Sequence, residues 1–318
     1  MLQVCNLRAL RERATTRTFA ATVRTHSRWC VAVVLVAACS ESSRGPTAPP
    51  LSLDVPDAAD RVFWARGRGP ALPLGPMTWH GGDVLVASRT FAIYWGSAWN
   101  TPAFAGDKIT GLTAFLQGWN GSAYAGQLTE YSGANGQITS ASTYDGMVID
   151  PSTPPAGAPR GIDLIREVAS LVPIPDPRTL YLVYGTTTRG TGPFCGFHMF
   201  GAYKRHPVQI AWFFNLDGDA GCDPGDAVTG HSQGLAALAN MTAHELAETI
   251  TDPRGLGWFA VSGTGENGDK CNFVEDTTFV TFSNSSIWHI QALWSNAANQ
   301  ANTGHLNANG EPGCTYHS

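Results

Sequence analysis

The stretch "MTAHELAETITDP", residues 241 to 253, sets His244, Glu245 and Glu248 close together. A zinc-binding helix of the common kind carries His, Glu, two further residues and His, but here the fifth position is Glu248. On a helix, His244 and Glu248 lie one turn apart, so both side chains can reach one ion while Glu245 projects beside them. The residue types suggest their roles: His244 and Glu248 as metal ligands, Glu245 as the general base that takes a proton from water. The competing reading is a solvated polar face on an amphipathic helix. Against it, this face carries no Lys or Arg, the partners that usually support an exposed face at i to i+4.

A third donor is expected from "GTGENGDKCNF" (263 to 273), a glycine-rich loop tied by Cys271. Asp269 is the expected ligand and Glu266 its competitor, with Asp252 and His198 as further alternatives. A helix pair plus a downstream carboxylate leaves a fourth position for water, and an all-N/O set suits zinc. Two carboxylates and one imidazole leave the ion less positive than the reverse ratio, so it lowers the pKa of water less and calls for a helper. His198 of "FCGFH" is the candidate, as a ligand or as a donor to an oxyanion. The alternative for His198 is a histidine satisfied within a sheet.

These residues need a scaffold. Helical spacing runs from about His231 to Thr251 and stops at Pro253, because the residue before a proline is pushed out of the helical region. Leu235, Leu238, Thr242, Leu246 and Ile250 form one stripe, with His244 and Glu248 opposite. Segments 83–96, 179–187 and 207–215 are rich in Val, Ile, Tyr, Phe and Trp and read as strands. Segments 106–119 and 160–172 read as helices, and "YSGANGQITSASTYDG" as a hairpin turning at its "NG". The expectation is an α/β or α+β fold: a single zincin-like domain, its mixed sheet packed against the HExxE-bearing helix.

The ends of the chain indicate where the domain works. Six arginines precede the apolar run "CVAVVLVAAC", which is too short to span a membrane as an ordinary helix. Small residues directly before Cys39 resemble the lipobox at which bacterial lipoproteins are cleaved and lipidated. Residues 1–39 are thus expected to be a lipoprotein signal peptide, 40–75 a flexible tether rich in Ser and Pro, and 76–318 the folded domain. Membrane contact is expected only through lipid on Cys39, on an exported protein of the cell envelope, outer membrane or cell surface.

Taking away residues 1–39 removes six of 20 basic and one of 25 acidic residues, leaving 14 against 24, a formal charge of −10. That acidic balance, without a Lys/Arg cluster, argues against nucleic acid or anionic lipid as a partner. Cys195, Cys222, Cys271 and Cys314 remain, an even count that reads as two disulfides in an oxidising compartment. Three connectivities are open; pairing Cys195 with Cys222 and Cys271 with Cys314 is favoured because each closes a local loop.

Four stretches carry a family resemblance: "MTWHGGDVLVASRTFAIYWG" (77 to 96), "FCGFHMFGAYKRHPVQIAWFFN" (194 to 215), "MTAHELAETITDPRGLGWF" (241 to 259) and "NGDKCNF" (267 to 273). Together they resemble the EXORDIUM-like, or phosphate-induced, protein family of plants and its bacterial relatives, over about residues 77 to 315. The resemblance implies an extracellular or wall-associated protein linked in plants to growth, without specifying a biochemical activity. Plant members commonly have Asn-Pro where this chain has Asp252-Pro253, which weakens Asp252 as a ligand; Asp269 matches the family pattern better.

Other signals are weaker. The loop 217–226 gathers Asp217, Asp219, Asp223 and Asp226, but lacks EF-hand spacing and reads as an acidic surface turn rather than a calcium site. Ser232 of "GHSQG" reads as a helix cap rather than a nucleophile. Trp79, Trp95, Trp99 and Trp119 could line a sugar-binding groove, although such residues more often fill a core. The expected function is that of a lipid-anchored zinc-dependent hydrolase acting on peptides or a cell-wall substrate. The alternative is a non-catalytic extracellular protein that binds wall polymer or a protein partner.

Overall fold

Three of the chain's apolar runs become the middle of one sheet because both of their faces are covered, as continuous apolar composition requires. The computed structural model describes residues 62–70, 74–260, 265–275 and 278–317. The expected signal segment and Cys39 lie outside the described residues. Six strands make the main sheet: β1 (Val62–Trp64), β2 (Ser88–Trp95), β3 (Ser142–Asp150), β4 (Thr179–Thr188), β5 (Phe194–Tyr203) and β6 (His206–Asn215). Their order is β1-β5-β6-β4-β2-β3. β6, β4, β2 and β3 run parallel, while β5 is antiparallel to both β6 and β1. The result is a mixed α/β fold with six α-helices among the described residues.

The three long helices are α1 (Lys108–Trp119), α2 (Gly161–Leu171) and α3 (Gln233–Thr251). α3 starts where expected, since the Ser232 hydroxyl accepts a hydrogen bond from the Leu235 amide and is itself held by Asp107. The expected amphipathicity is not what the fold uses: every residue of α3 from Gly234 to Thr251 is buried. The leucine stripe and the face bearing His244, Glu245 and Glu248 are both inside. α1 covers part of the helix closely, because Gly111 has no Cβ to meet Leu235.

Two further expectations are corrected. The folded part takes in β1, ahead of the boundary expected near Pro76, and Phe63 of that strand is fully buried. Three apolar residues between Arg61 and Ala65-Arg66 are too short a run to show a period. The hairpin shrinks to Ser132–Gly133 paired with Gly136–Gln137, and the end of that stretch, from Ser142, becomes the start of β3. β3 is a polar edge strand whose register slips around Gly146, so its alternation is broken in the sequence.

The disulfides pair as favoured, Cys195 with Cys222 and Cys271 with Cys314. Both bonds indicate an oxidising, extracellular setting. Among the described residues no helix is long and apolar enough to cross a membrane. Trp95, Trp99 and Trp119 are core residues and only Trp79 of that set is exposed, so they form no sugar-binding groove.

Candidate metal centre

Two glycines let other segments lie close on α3. Alternation along β5 turns Gly196 and His198 to the same face. A Cβ on Gly196 would lie 2.5 Å from the terminal methyl of Met241, so its absence lets α3 approach the strand. One turn further along α3, Glu245 reaches His198, with Oε2 2.9 Å from Nδ1. On the other side of the helix, a Cβ on Gly268 would come within 2.7 Å of His244 Nδ1 and 2.9 Å of Glu248 Oε1. Glycine there lets the downstream loop lie directly on the two helix residues.

The loop delivers Asp269. Its amide donates to Glu248 Oε1 at 2.9 Å, and its Oδ1 lies 3.7 Å from His244 Nε2. His244 Nε2 is 3.0 Å from Glu248 Oε1, and His198 Nδ1 is 3.4 Å from Glu248 Oε2. Two donor groups result, His244 with Glu248 and Asp269, and His198 with Glu245 and Glu248, each with donor atoms close enough to hold one ion. His198, His244, Glu245, Glu248 and Asp269 therefore all converge. Glu266 faces the far nitrogen of His198, Oε2 to Nε2 at 3.6 Å, which sets it behind the imidazole. Asp252 takes no part: its Oδ1 accepts the Gly257 amide and closes the turn after α3.

Gln291 was invisible to motif reasoning, because a glutamine in "HIQALW" carries no signal of its role. Its Nε2 donates to the Gly268 carbonyl at 2.8 Å, which turns Oε1 toward His244 Nδ1 at 3.3 Å. With its proton on Nδ1, His244 would direct the Nε2 lone pair toward an ion held by Glu248 and Asp269, the orientation a metal ligand needs. Asn240, one turn before His244, accepts from the Gln291 amide and donates to Glu275, which Arg66 holds from outside. Phe63 of β1 packs edge-on to the His244 ring, centroids 4.6 Å apart.

The electrostatics show a site short of positive charge. His244, Glu245 and Glu248 are wholly buried, and Asp269 is 5% exposed. Among the described residues no Lys or Arg forms an ion pair with Glu245, Glu248 or Asp269. Burial would lower both histidine pKa values, but the carboxylates outweigh it: Glu248 is the main cause for His244, raised to about 9, and the hydrogen bond with Glu245 for His198. Burial raises Glu245 and Asp269, with repulsion from Glu248 adding to the rise at Asp269. For Glu248 burial acts upward too, but the imidazoles prevail and hold its carboxyl below the usual range.

A metal ion fits this arrangement. His244 Nε2, Glu245 Oε1 and Glu248 Oε2 are buried without a hydrogen-bond partner, which is costly for polar atoms unless a cation takes them up. Ligands roughly 2.0–2.2 Å from one ion sit roughly 3–3.5 Å apart, close to the separations seen here. A cleft of about 310 Å³, walled by Trp64, Pro70, Lys270, Phe273 and Asn309 among others, also has Asp269 in its wall.

The other acidic group is neutralised by the protein itself. Asp217 takes Lys108 Nζ at 2.5 Å, Asp219 grips Arg189 at 2.5 and 2.6 Å, and Asp223 and Asp226 accept turn amides. A scan against protein-family models finds no match for the chain, and a search of curated proteins finds none either.

Proposed function

We propose that the protein is an exported, lipid-anchored zinc-dependent hydrolase acting on peptides, with a zincin-like helix and membership in the EXORDIUM-like group as part of the same reading. The supporting observation is the convergence of His244, Glu248 and Asp269 on one buried point, with Glu245 beside them. Zinc, when bound, supplies a Lewis acid that polarises a carbonyl and acidifies water. Glu245 holds the proton taken from water on Oε1, the oxygen without a hydrogen-bond partner. His198 fixes the other oxygen of Glu245 and so orients the base. Asp269 places the centre at the wall of the cleft from which substrate would enter. Lipid on Cys39 would keep the domain at the envelope.

Complete burial of His244, Glu245 and Glu248 favours a second reading, a structural ion in a non-catalytic protein that binds wall polymer or a partner. Glu245→Gln separates the two. The enzyme reading expects a screen of peptide substrates to detect turnover in the wild type and none in the variant, with metal retained at the His244 position. Equal cleavage by both proteins would remove Glu245 as base; no cleavage by either, with metal bound and stability dependent on it, would establish the structural role.

A further inference from the structure

Glu248 faces two imidazoles at once. Its Oε1 lies 3.0 Å from His244 Nε2, and its Oε2 lies 3.4 Å from His198 Nδ1. The two donor groups in the core therefore share one carboxylate, used through different oxygens. We propose that the centre holds two divalent first-row metal ions bridged by Glu248. One ion is held by His244 and Asp269, the other by His198 and Glu245. This rests on the metal reading above and extends it, since a single zinc leaves His198 and Glu245 outside the coordination sphere.

Three observations carry the second position. The His198 group has the same spacing as the His244 group: 2.9 Å to Glu245 and 3.4 Å to Glu248, against 3.0 Å to Glu248 and 3.7 Å to Asp269. Each imidazole has a polar oxygen behind it: Gln291 Oε1 is 3.3 Å from His244 Nδ1, and Glu266 Oε2 lies 3.6 Å from His198 Nε2, beyond hydrogen-bond distance. A proton on each far nitrogen leaves both near lone pairs facing Glu248, the arrangement by which outer partners orient metal-bound imidazoles. Glu248 Oε2 is fully buried and has no hydrogen-bond partner, although it lies 3.4 Å from His198 Nδ1.

Charge points the same way. One divalent ion against Glu245, Glu248 and Asp269 leaves a negative charge; among the described residues no Lys or Arg forms an ion pair with these carboxylates, the buried Lys270 beside Asp269 pairing with Glu311 instead, and buried uncompensated charge is strongly disfavoured. A second ion reverses the excess to a single positive charge, and Glu266 lies behind His198 to offset it. In two-metal sites the ions sit about 3.5–4 Å apart and clamp the attacking and leaving oxygens together. Glu245, bound through Oε2, keeps Oε1 for the proton.

The test is metal stoichiometry of the full exported chain, equilibrated with zinc and freed of excess, read by inductively coupled plasma mass spectrometry beside His198→Gln and His244→Ala. The expected result is about two ions per chain in the wild type and about one in His198→Gln, with a near-ultraviolet circular dichroism spectrum like that of wild type. One ion in the wild type, retained in His198→Gln and lost in His244→Ala, overturns the bridged pair and leaves the single-ion reading standing. No ion in any protein overturns both. Two ions in the wild type and still two in His198→Gln place the second ion elsewhere and also overturn the proposal. If His198→Gln does not fold, manganese-loaded wild type decides: an exchange-coupled electron paramagnetic resonance spectrum supports the pair, and an isolated-ion spectrum at saturation refutes it.

Discussion

The loop holding Asp217, Asp219, Asp223 and Asp226 and the core group of Glu245, Glu248, Glu266 and Asp269 each gather carboxylates, yet their partners differ. In the loop, Lys108 and Arg189 supply the cations and backbone amides fill the remaining acceptor positions. In the core, the carboxylates meet two imidazoles and Glu248 keeps an oxygen unpartnered. Acidic residues in a row, as in the loop, are thus poor evidence for a metal when the fold brings a lysine or arginine to them. Carboxylates drawn from a helix and a distant loop, and buried with histidine, are better evidence. The teaching lies in which counter-charge the chain itself provides.

The largest effect expected of this contrast is that of His244→Ala. Removing the imidazole leaves Glu248 and Asp269 buried against each other, and breaking such a group costs about 3–5 kcal/mol, with loss of metal. Urea unfolding with and without a chelator reads both; unchanged stability and metal content would erase the distinction between core and loop. Next comes pH. The folded pKa of His244 is raised to about 9 from 6.5, so the stability it contributes to the metal-free protein is complete below about 6.5 and is lost as pH rises through about 9. Melting temperatures of chelated protein should fall across that window, whereas those of metal-loaded protein should not fall there, because the ion takes the proton's place. A flat profile for the chelated form would mean that His244 is not the counter-charge. Gln291→Leu should weaken metal binding about 10–100-fold by freeing the His244 tautomer; isothermal titration measures it, and wild-type affinity would deny Gln291 its orienting part. The smallest effect on the metal belongs to the loop: Asp219→Asn should leave metal content unchanged and cost about 1–3 kcal/mol of stability, since the pair with Arg189 is only 12% and 18% exposed. Loss of metal in that variant would tie the two clusters together.

How far the sequence revealed this site depends on which interactions are local. α3, its Ser232 cap, the strands β2, β4 and β6, and the disulfide partners follow from periodicity, capping chemistry and loop length. His244, Glu245 and Glu248 share one helical turn, so their proximity was legible from spacing. The burial of their face was not, because it depends on β1 and the Gly268 loop closing over α3 from distant parts of the chain. β5 was hidden as well: the placing of His198 against Glu245 requires an antiparallel strand inserted between β1 and β6, a pairing no local pattern encodes. Gln291 matters through one amide orientation, set by the Gly268 carbonyl.

Gly268 lies against His244 and Glu248 like a cover with no side chain of its own. The neighbouring cleft reaches Asp269 but is not lined by His244 or Glu248, so an ion beneath Gly268 would exchange as that loop moves, and the Cys271–Cys314 bond anchors the loop at its far end. Release is then timed by the cover rather than by the strength of the ligands. Stripping by a chelator should reach a limiting rate that no longer rises with chelator concentration, and reducing the disulfide should raise that limit. In the envelope, such a centre would keep its metal through brief scarcity and would be filled once, as the chain folds and its cysteines pair.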